Sequence, residues 1–206
     1  MIDSKFRAPY QNFFITPLLK IPFLQQVDPT ILTLIGLFFG LLIPVFLPLQ
    51  LPFLALVCLA LSGFFDTLDG SVARQMQKTS PKGAVLDIIS DRVVEFMVIL
   101  GLYLVAPQER SLFCLFMLGS VLLCITTFLV VGIFSQNTTE KSFYYSPGLI
   151  ERAEAFAFFA LMMIFPSAFI PLALLFIGLV MATGIVRTYQ FILPVTATLP
   201  PNKKSF

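Results

Sequence analysis

Residues 51–76 read LPFLALVCLALSGFFDTLDGSVARQM, an apolar run followed by a more polar end that contains Asp66 and Asp69. About 20 predominantly apolar residues are enough to cross the hydrocarbon core of a bilayer as a helix. Similar runs recur along the chain, separated by short polar or proline-containing breaks. The expected fold is therefore an all-α integral membrane bundle. The pattern predicts six transmembrane helices, at 29–48, 51–76, 83–106, 111–134, 147–168 and 170–193.

The composition excludes a soluble globular domain and several kinds of catalysis. Of the 206 residues, 58% are hydrophobic and 12% are charged, about half the charged fraction of an ordinary soluble protein. Because the chain has no histidine, histidine acid–base chemistry, histidine-based triads and His-ligated zinc are excluded. Cys58, Cys114 and Cys124 lie in apolar runs without a CxxC pair and are interpreted as small buried hydrophobic residues. Any chemistry must therefore use carboxylates.

The positions of the basic residues predict the orientation in the membrane. With the N-terminus inside, every one of the 13 Lys and Arg residues except Arg110 falls on the cytoplasmic side. An even number of spans returns the C-terminus to the same side. We therefore expect a multi-pass protein of the bacterial inner (plasma) membrane with both termini, and any active site, on the cytoplasmic side.

The first 28 residues are predicted to lie along the cytoplasmic face of the membrane. Lys20 interrupts the apolar stretch and no cleavage site follows it, which argues against a signal peptide. Phe6, Tyr10 and Phe14 recur at helical spacing, as in an amphipathic interfacial helix. The alternative is a leader that only sets topology. The expected organisation is an interfacial helix and linker at 1–28, a six-helix membrane domain at 29–197 and a cytoplasmic tail at 198–206.

Four aspartates flank the loop between the second and third predicted spans. Asp66 and Asp69 are three residues apart and Asp87 and Asp91 are four apart, so each pair projects from one face of its helix. Ionised acids in a membrane span are costly and repel one another, so a cation must compensate them. Oxygen ligands without thiolate or imidazole suit a hard ion such as Mg²⁺, Mn²⁺ or Ca²⁺. We therefore expect one or two divalent ions at this hairpin.

Small residues and arginines accompany these acids. In a purely structural alternative, the aspartates cap helices and pair with Arg74 and Arg92. Gly70, Ala73 and Gly83, however, leave the wall beside the carboxylates nearly free of side chains. Arg74 adds a planar, permanent cation that suits phosphate oxygens. Together these residues predict a site for a phosphate-bearing molecule with an apolar tail.

The hairpin resembles the signature of a known enzyme family. Residues 66–91 read DTLDGSVARQMQKTSPKGAVLDIISD, which is similar to the CDP-alcohol phosphatidyltransferase pattern DxxDGxxAR, eight residues, GxxxDxxxD, with every fixed position present. The chain length, the six spans and the Pro29–Thr33 stretch after the interfacial helix also resemble the family. Many members have Asn where this chain has Thr30, so no role is carried over to Thr30.

The resemblance implies metal-dependent transfer of a phosphatidyl group from CDP-diacylglycerol to an alcohol, with release of CMP. It implies Mg²⁺ or Mn²⁺ as cofactor, Asp91 as the general base and a homodimeric assembly. The metal ligands it implies are Asp66, Asp69, Asp87 and Asp91. The CDP-lipid-binding residues it implies are Asp66, Asp69, Gly70, Ala73, Arg74 and Gly83.

The acceptor alcohol is predicted from the last two spans. Residues 151–155 read ERAEA and resemble an ERxER stretch of the inositol-phosphate-accepting branch, with Ala155 in place of the second arginine. Arg187 lies where that branch has another phosphate-contacting arginine. The predicted acceptor is an inositol-type polyol, with glycerol 3-phosphate as the second candidate, and the predicted acceptor-binding residues are Arg152, Arg187 and Lys141. In the alternative, Arg152 and Arg187 snorkel to the interface.

Two other functional classes compete with a transferase. Carboxylates within a membrane also mark ion pathways, as in a divalent-cation transporter. Against this, the four aspartates gather near one end of two helices, and the fourth and sixth predicted spans contain no acidic residue. A non-catalytic membrane scaffold gives no reason to place a negative cluster beside glycines and an arginine.

Overall fold

The computed structural model describes residues 16–19, 27–134, 150 and 152–193. This part of the chain is helical and contains no β-strand. A helical turn at Thr16–Leu19 precedes the bundle, and a 3₁₀ turn at Pro166–Ala168 connects its last two helices. The six long helices of the described part are α1 (Pro29–Phe46), α2 (Pro52–Gln75), α3 (Pro81–Val105), α4 (Pro107–Phe134), α5 (Arg152–Ile164) and α6 (Phe169–Ile192).

Local sequence explains where the first helices begin. Each of α1 to α4 starts with proline, whose fixed φ and missing N–H suit the first helical position. Asp28 caps α1 by accepting a hydrogen bond from the Thr30 amide at 2.9 Å, and this bond lowers the pKa of Asp28 from its usual value. Ser80 caps α3 by accepting one from the Gly83 amide at 3.1 Å. These caps satisfy N–H groups that have no partner within the helix.

The protein is a multi-pass membrane protein. Within the described residues, four helical segments are long and apolar enough to cross a bilayer: Pro29–Phe46, Pro52–Gln75, Pro107–Phe134 and Pro166–Ile192. Two of the six helices are not among these segments: α3 has 25 residues but carries Asp87, Asp91 and Glu95. Helix α5 has 13 residues.

Each of the six predicted spans contains one of these helices, but the ends differ from the predicted bounds: residues 47–48, 51, 76, 106 and 193 lie outside the helices. Residues 147–149 and 151 of the predicted fifth span lie outside the described residues, as do most of the predicted interfacial segment 1–28 and the tail from 194 onward. The six-span count and the interfacial helix therefore stay predictions.

Two glycines let α1 pack closely against its neighbours. A Cβ added at Gly36 would lie 3.2 Å from the Ser62 carbonyl oxygen of α2. One added at Gly40 would lie 2.5 Å from Cγ2 of Val94 on α3. Helix α1 accordingly packs against both α2 and α3 along its length. This close approach is the use of small-xxx-small spacing in membrane helix packing, and it holds the α2–α3 hairpin that carries the aspartates.

A buried arginine secures the opposite end of the bundle. Arg110, at the start of α4, is 6% exposed and donates hydrogen bonds to the carbonyl oxygens of Leu102 at 3.1 Å and Pro166 at 3.3 Å. Its guanidinium also lies 4.3 Å from the centre of the Phe169 ring. Arg110 thereby connects the start of α4 to the last turn of α3 and to the α5–α6 connection.

Replacing Gly40 with alanine tests this packing. The new methyl group would overlap the Val94 side chain, which has little freedom to move, so we expect Gly40→Ala to destabilise the protein by about 1–3 kcal/mol. The measurement is the folded fraction that survives heating in detergent, followed by size-exclusion chromatography. Gly119→Ala is the matched control, because a Cβ there meets nothing within 4 Å. Equal thermal stability of the two variants would contradict the proposed packing role.

Candidate active site

The α2–α3 hairpin brings three of the four predicted metal ligands together. Asp66 and Asp69 lie in the last three turns of α2, and Asp87 lies two turns into α3. One carboxylate oxygen from each of the three lies within 4.8 Å of the others. Oxygen ligands of a single Mg²⁺ or Ca²⁺ lie up to about 4–5 Å apart. The three carboxylates therefore fit a divalent cation.

Helix α1 supports this cluster through Thr33. The Thr33 hydroxyl donates a hydrogen bond to Oδ2 of Asp69, and both residues are buried. The same hydroxyl oxygen lies 3.2 Å from the Pro29 carbonyl oxygen. A partner that holds a ligand carboxylate in place is a recurrent feature of metal sites. Thr33 is the last residue of the Pro29–Thr33 stretch noted in the sequence. No sequence spacing pairs it with Asp69, which lies 36 residues further along the chain.

Asp91 lies outside the three-carboxylate cluster, and Arg152 links it to Asp66. Nη1 of Arg152, the first residue of α5, forms an ion pair with Oδ1 of Asp66 and lies 2.6 Å from Oδ1 of Asp91. Oδ2 of Asp91 lies 4.0 Å from the Arg92 guanidinium. Arg152 therefore bridges Asp91 to the cluster through Asp66, while Asp91 itself is not among the three carboxylates that lie within 4.8 Å of one another.

Arg152 is directed into the bundle. Its side chain is 26% exposed, and its guanidinium lies 5.2 Å from the centre of the Phe156 ring, one turn along α5. Both carboxylate partners belong to the α2–α3 hairpin. These contacts favour an ion pair inside the site over the predicted alternative of snorkelling to the interface.

The structural alternative pairs the aspartates with Arg74 and Arg92. Among the described ion pairs, it accounts for the contact between Arg92 and Asp91. Arg92 lies 2.5 Å from Glu95, a buried carboxylate one turn along α3, and 4.0 Å from Asp91. Glu95 is not among the predicted site residues. Nη2 of Arg74 lies 3.4 Å from the Ser71 hydroxyl.

The small residues predicted to bind the CDP-lipid surround the same end of the hairpin. A Cβ at Gly70 would lie 3.4 Å from Nη1 of Arg74, so the glycine leaves room for the arginine to lie along α2. Ala73, on the next turn, is half-buried. Gly83 donates its amide to the cap of α3, and a Cβ there would lie 3.3 Å from the Ser80 hydroxyl.

The other two predicted acceptor-binding residues are not placed beside Asp91 by the described contacts. Nη1 of Arg187 donates to the Cys124 carbonyl oxygen at 3.2 Å, and the guanidinium lies 5.1 Å from the centre of the Phe128 ring. Arg187 therefore contacts α4. Lys141 lies outside the described residues.

Comparison with known proteins identifies the family. The family model described as CDP-alcohol phosphatidyltransferase matches residues 27–190. The chain belongs to this family of membrane enzymes of phospholipid synthesis, as the motif in residues 66–91 predicted.

Individual relatives agree with this assignment. The chain is 32% identical to inner membrane protein YnjF of Escherichia coli over 171 residues, which cover 80% of this chain and 82% of that protein. It is 34% identical to archaetidylinositol phosphate synthase of Pyrococcus horikoshii over 94 residues, 46% of this chain and 50% of that protein.

A solved structure shares the fold. The crystal structure of Mycobacterium tuberculosis phosphatidylinositol phosphate synthase with CDP-DAG bound superposes with a TM-score of 0.65 at 19% identity. The match covers 87% of this chain and 92% of that one. The all-helical membrane fold expected from the sequence is thus confirmed.

Removing the Thr33 hydroxyl tests its support of the carboxylate cluster. We expect Thr33→Val to weaken divalent-cation binding about 10- to 100-fold, because Asp69 loses the hydrogen bond that orients it. Thr33→Ser keeps the hydroxyl and should retain affinity. The measurement is Mn²⁺ binding by electron paramagnetic resonance on purified protein.

Thr126→Val serves as the matched control, since among the described residues the Thr126 hydroxyl donates to the Leu122 carbonyl oxygen of its own helix. If Thr33→Val bound Mn²⁺ as tightly as this control, the assigned role of Thr33 would be wrong.

Proposed function

We propose that this enzyme transfers the phosphatidyl group of CDP-diacylglycerol to an inositol-type polyol, with a divalent metal ion as cofactor and CMP as the second product. The observation that carries the proposal is the convergence of Asp66, Asp69 and Asp87 within 4.8 Å, with Asp91 held beside them by Arg152. This arrangement supplies a cation site and a separate carboxylate at one end of the α2–α3 hairpin.

Asp66, Asp69 and Asp87 would hold Mg²⁺ or Mn²⁺, with Asp91 available to a second ion. A metal bound there supplies a Lewis acid and a template for the diphosphate. The protein's own contribution is to fix the ligands: Thr33 orients Asp69, and Arg152 orients Asp66. Such preorganisation stabilises developing charge without reorganisation during the reaction.

Asp91 would act as the general base. It would accept the proton of the acceptor hydroxyl while that oxygen attacks the phosphatidyl phosphorus. One new P–O bond forms, the P–O bond to CMP breaks, and CMP leaves with the bridging oxygen. The Arg152 guanidinium lies 2.6 Å from Oδ1 of Asp91 and the Arg92 guanidinium lies 4.0 Å from Oδ2, so ion pairs with both arginines position this carboxylate. Alignment of this kind is the main contribution that a protein makes to phosphoryl transfer.

The CDP-lipid would lie against the small residues of the hairpin. Gly70, Ala73 and Gly83 would let the nucleotide and diphosphate approach the helix backbone, and Arg74 would contact phosphate oxygens. The apolar outer surfaces of the helices accommodate the acyl chains in the bilayer. The M. tuberculosis relative in fold holds CDP-DAG, which supports the same donor for this chain.

The names of two similar proteins support an inositol-type acceptor. One is an archaetidylinositol phosphate synthase and the other a phosphatidylinositol phosphate synthase. The acceptor would enter beside Asp91, where Arg152 lies. Arg187 and Lys141 stay predicted acceptor contacts.

Acceptor-dependent release of CMP tests the proposal. Purified protein in liposomes, given CDP-diacylglycerol, Mg²⁺ or Mn²⁺ and a panel of alcohols, should release CMP only when a polyol and a divalent ion are both present. Chelation should stop the reaction, because the three aspartates would lose their cation. A rate that chelation leaves unchanged would contradict the metal, and CMP release independent of any alcohol would contradict transfer.

Two variants sharpen this assay. Asp91→Asn should reduce turnover by at least about 10²-fold, the scale of a lost general base, while leaving CDP-lipid binding in place. Glu109→Gln is the control, because Glu109 is an exposed acid near the opposite end of the bundle. Normal turnover by Asp91→Asn would show that another group accepts the proton.

The proposed topology has six spans, both termini in the cytoplasm, and the domain bounds 1–28, 29–197 and 198–206. The homodimer implied by the family resemblance belongs to the same proposal. The E. coli relative is named an inner membrane protein, which supports this location.

Accessibility of introduced cysteines tests the orientation. Lys78→Cys, in the α2–α3 loop, should resist a membrane-impermeant maleimide in spheroplasts, whereas Gln108→Cys, at the start of α4, should react. Both native residues are exposed. Of the native cysteines, Cys58 and Cys114 are buried and Cys124 is half-buried, so both changes are made in a Cys124→Ser background. The reverse labelling pattern would place the site outside.

A further inference from the structure

We infer that Glu95 is a positioning residue that acts on Asp91 through Arg92. It holds the Arg92 guanidinium away from Oδ2 of Asp91, so that this oxygen stays open to the acceptor hydroxyl. The inference rests on the proposed transferase function, and it assigns a role to a buried acid that lies beyond the motif in residues 66–91. Glu95 itself is assigned no contact with the substrates or the metal.

Glu95 is an acid buried in an apolar part of α3. Its side chain is 7% exposed, and its neighbours Val94 and Val98 belong to the hydrophobic core. An acid at such a position is costly unless a cation compensates it. Arg92 supplies that cation, because its Nη1 donates a hydrogen bond to Oε2 of Glu95 at 2.5 Å.

Arg92 faces two carboxylates at unequal distances. Its Nη1 contacts Glu95, whereas its Nη2 lies 4.0 Å from Oδ2 of Asp91. A charge-assisted hydrogen bond from a guanidinium to a carboxylate is about 2.7–2.9 Å long, so the contact with Asp91 is too long to be one. Arg92 is therefore bonded to Glu95 and leaves Oδ2 of Asp91 without a donor from this guanidinium.

The length and charge of the Arg92 side chain indicate what Glu95 prevents. The side chain is 33% exposed, and a long arginine stem lets the charged group change position. Among the described ion pairs of Arg92, the other acid is Asp91. Without the charge of Glu95, the guanidinium would therefore move onto Oδ2 of Asp91 and form a direct hydrogen bond there.

Such a move would occupy the second oxygen of the proposed base. Nη1 of Arg152 already lies 2.6 Å from Oδ1 of Asp91. With Arg92 bonded to Oδ2, the acceptor hydroxyl would have to displace a guanidinium before it could donate to Asp91. A general base must lie within hydrogen-bond reach of the proton that it accepts. Glu95 is therefore expected to affect kcat and not the binding of the donor.

Two variants test the inference through turnover. Glu95→Gln keeps the size of the side chain and removes its charge. In acceptor-dependent CMP release with CDP-diacylglycerol and Mg²⁺, we expect its kcat to fall about 10- to 100-fold, the scale of a lost supporting contact, with an unchanged KM for CDP-diacylglycerol. Adding Arg92→Gln should raise kcat again, because the guanidinium that covers Oδ2 of Asp91 is then gone. Glu109→Gln, at an exposed acid of α4, is the control.

The double variant also decides the question by itself if Glu95→Gln does not fold, because it buries no unpaired charge. An ion pair at 4.0 Å contributes little, so its kcat should stay within about tenfold of the wild type. A larger loss in the double variant, or a normal kcat in Glu95→Gln, would overturn the inference and leave the transferase function standing. Absence of CMP release by the wild type with every alcohol would instead contradict the proposed function.

NMR of arginine-labelled protein gives a readout that does not depend on turnover. The Arg92 side-chain signals are assigned by their loss in Arg92→Lys. Asp91→Asn should shift these signals little in the wild-type background, since Arg92 is bonded to Glu95 there. In the Glu95→Gln background the same change should shift them strongly. Equal shifts in the two backgrounds would overturn the inference, whether or not the wild type releases CMP.

Discussion

The packing of the bundle depends on how the negative charge of four carboxylates is offset at one end of the α2–α3 hairpin. Like charges at this depth repel and are costly to insert, so α2 and α3 can lie side by side only if other groups offset them. Arg152 does so from α5 by contacting Asp66 and Asp91. Thr33 does so from α1 by donating to Asp69. The acids of the hairpin are therefore contacted by side chains from both α1 and α5.

The same constraint explains the packing of α1. Thr33 reaches Asp69 only because α1 approaches α2 and α3 closely, and Gly36 and Gly40 provide that approach. At the opposite end of the bundle, Arg110 is also buried, but its described partners are carbonyl oxygens and an aromatic ring. At the aspartate end, ion pairs and a hydrogen bond to carboxylates connect the helices. At the other end, hydrogen bonds from Arg110 to backbone carbonyl oxygens connect them.

Local periodicity explains what could be predicted from the sequence. The helix positions follow from apolar runs and prolines, and the 3- and 4-residue spacings place Asp66 with Asp69 and Asp87 with Asp91. The family motif added the chemistry of the hairpin. The Thr33–Asp69 bond and the Arg152 bridge join residues far apart in the chain, and their partners are chosen by packing between helices. No spacing rule within one helix could pair them.

Under the proposed mechanism, Arg152 contacts two aspartates that have different roles. A carboxylate that coordinates a divalent ion is a poor proton acceptor, because the ion competes for the same lone pairs. Asp91 lies outside the group of Asp66, Asp69 and Asp87 and is held by a guanidinium. Nη1 of Arg152 lies 2.6 Å from Oδ1 of Asp91 without a well-aligned hydrogen bond to it, so the lone pairs of this carboxylate stay accessible to a proton. Arg152 thus links a proposed metal ligand, Asp66, to the proposed general base, Asp91, through one guanidinium nitrogen.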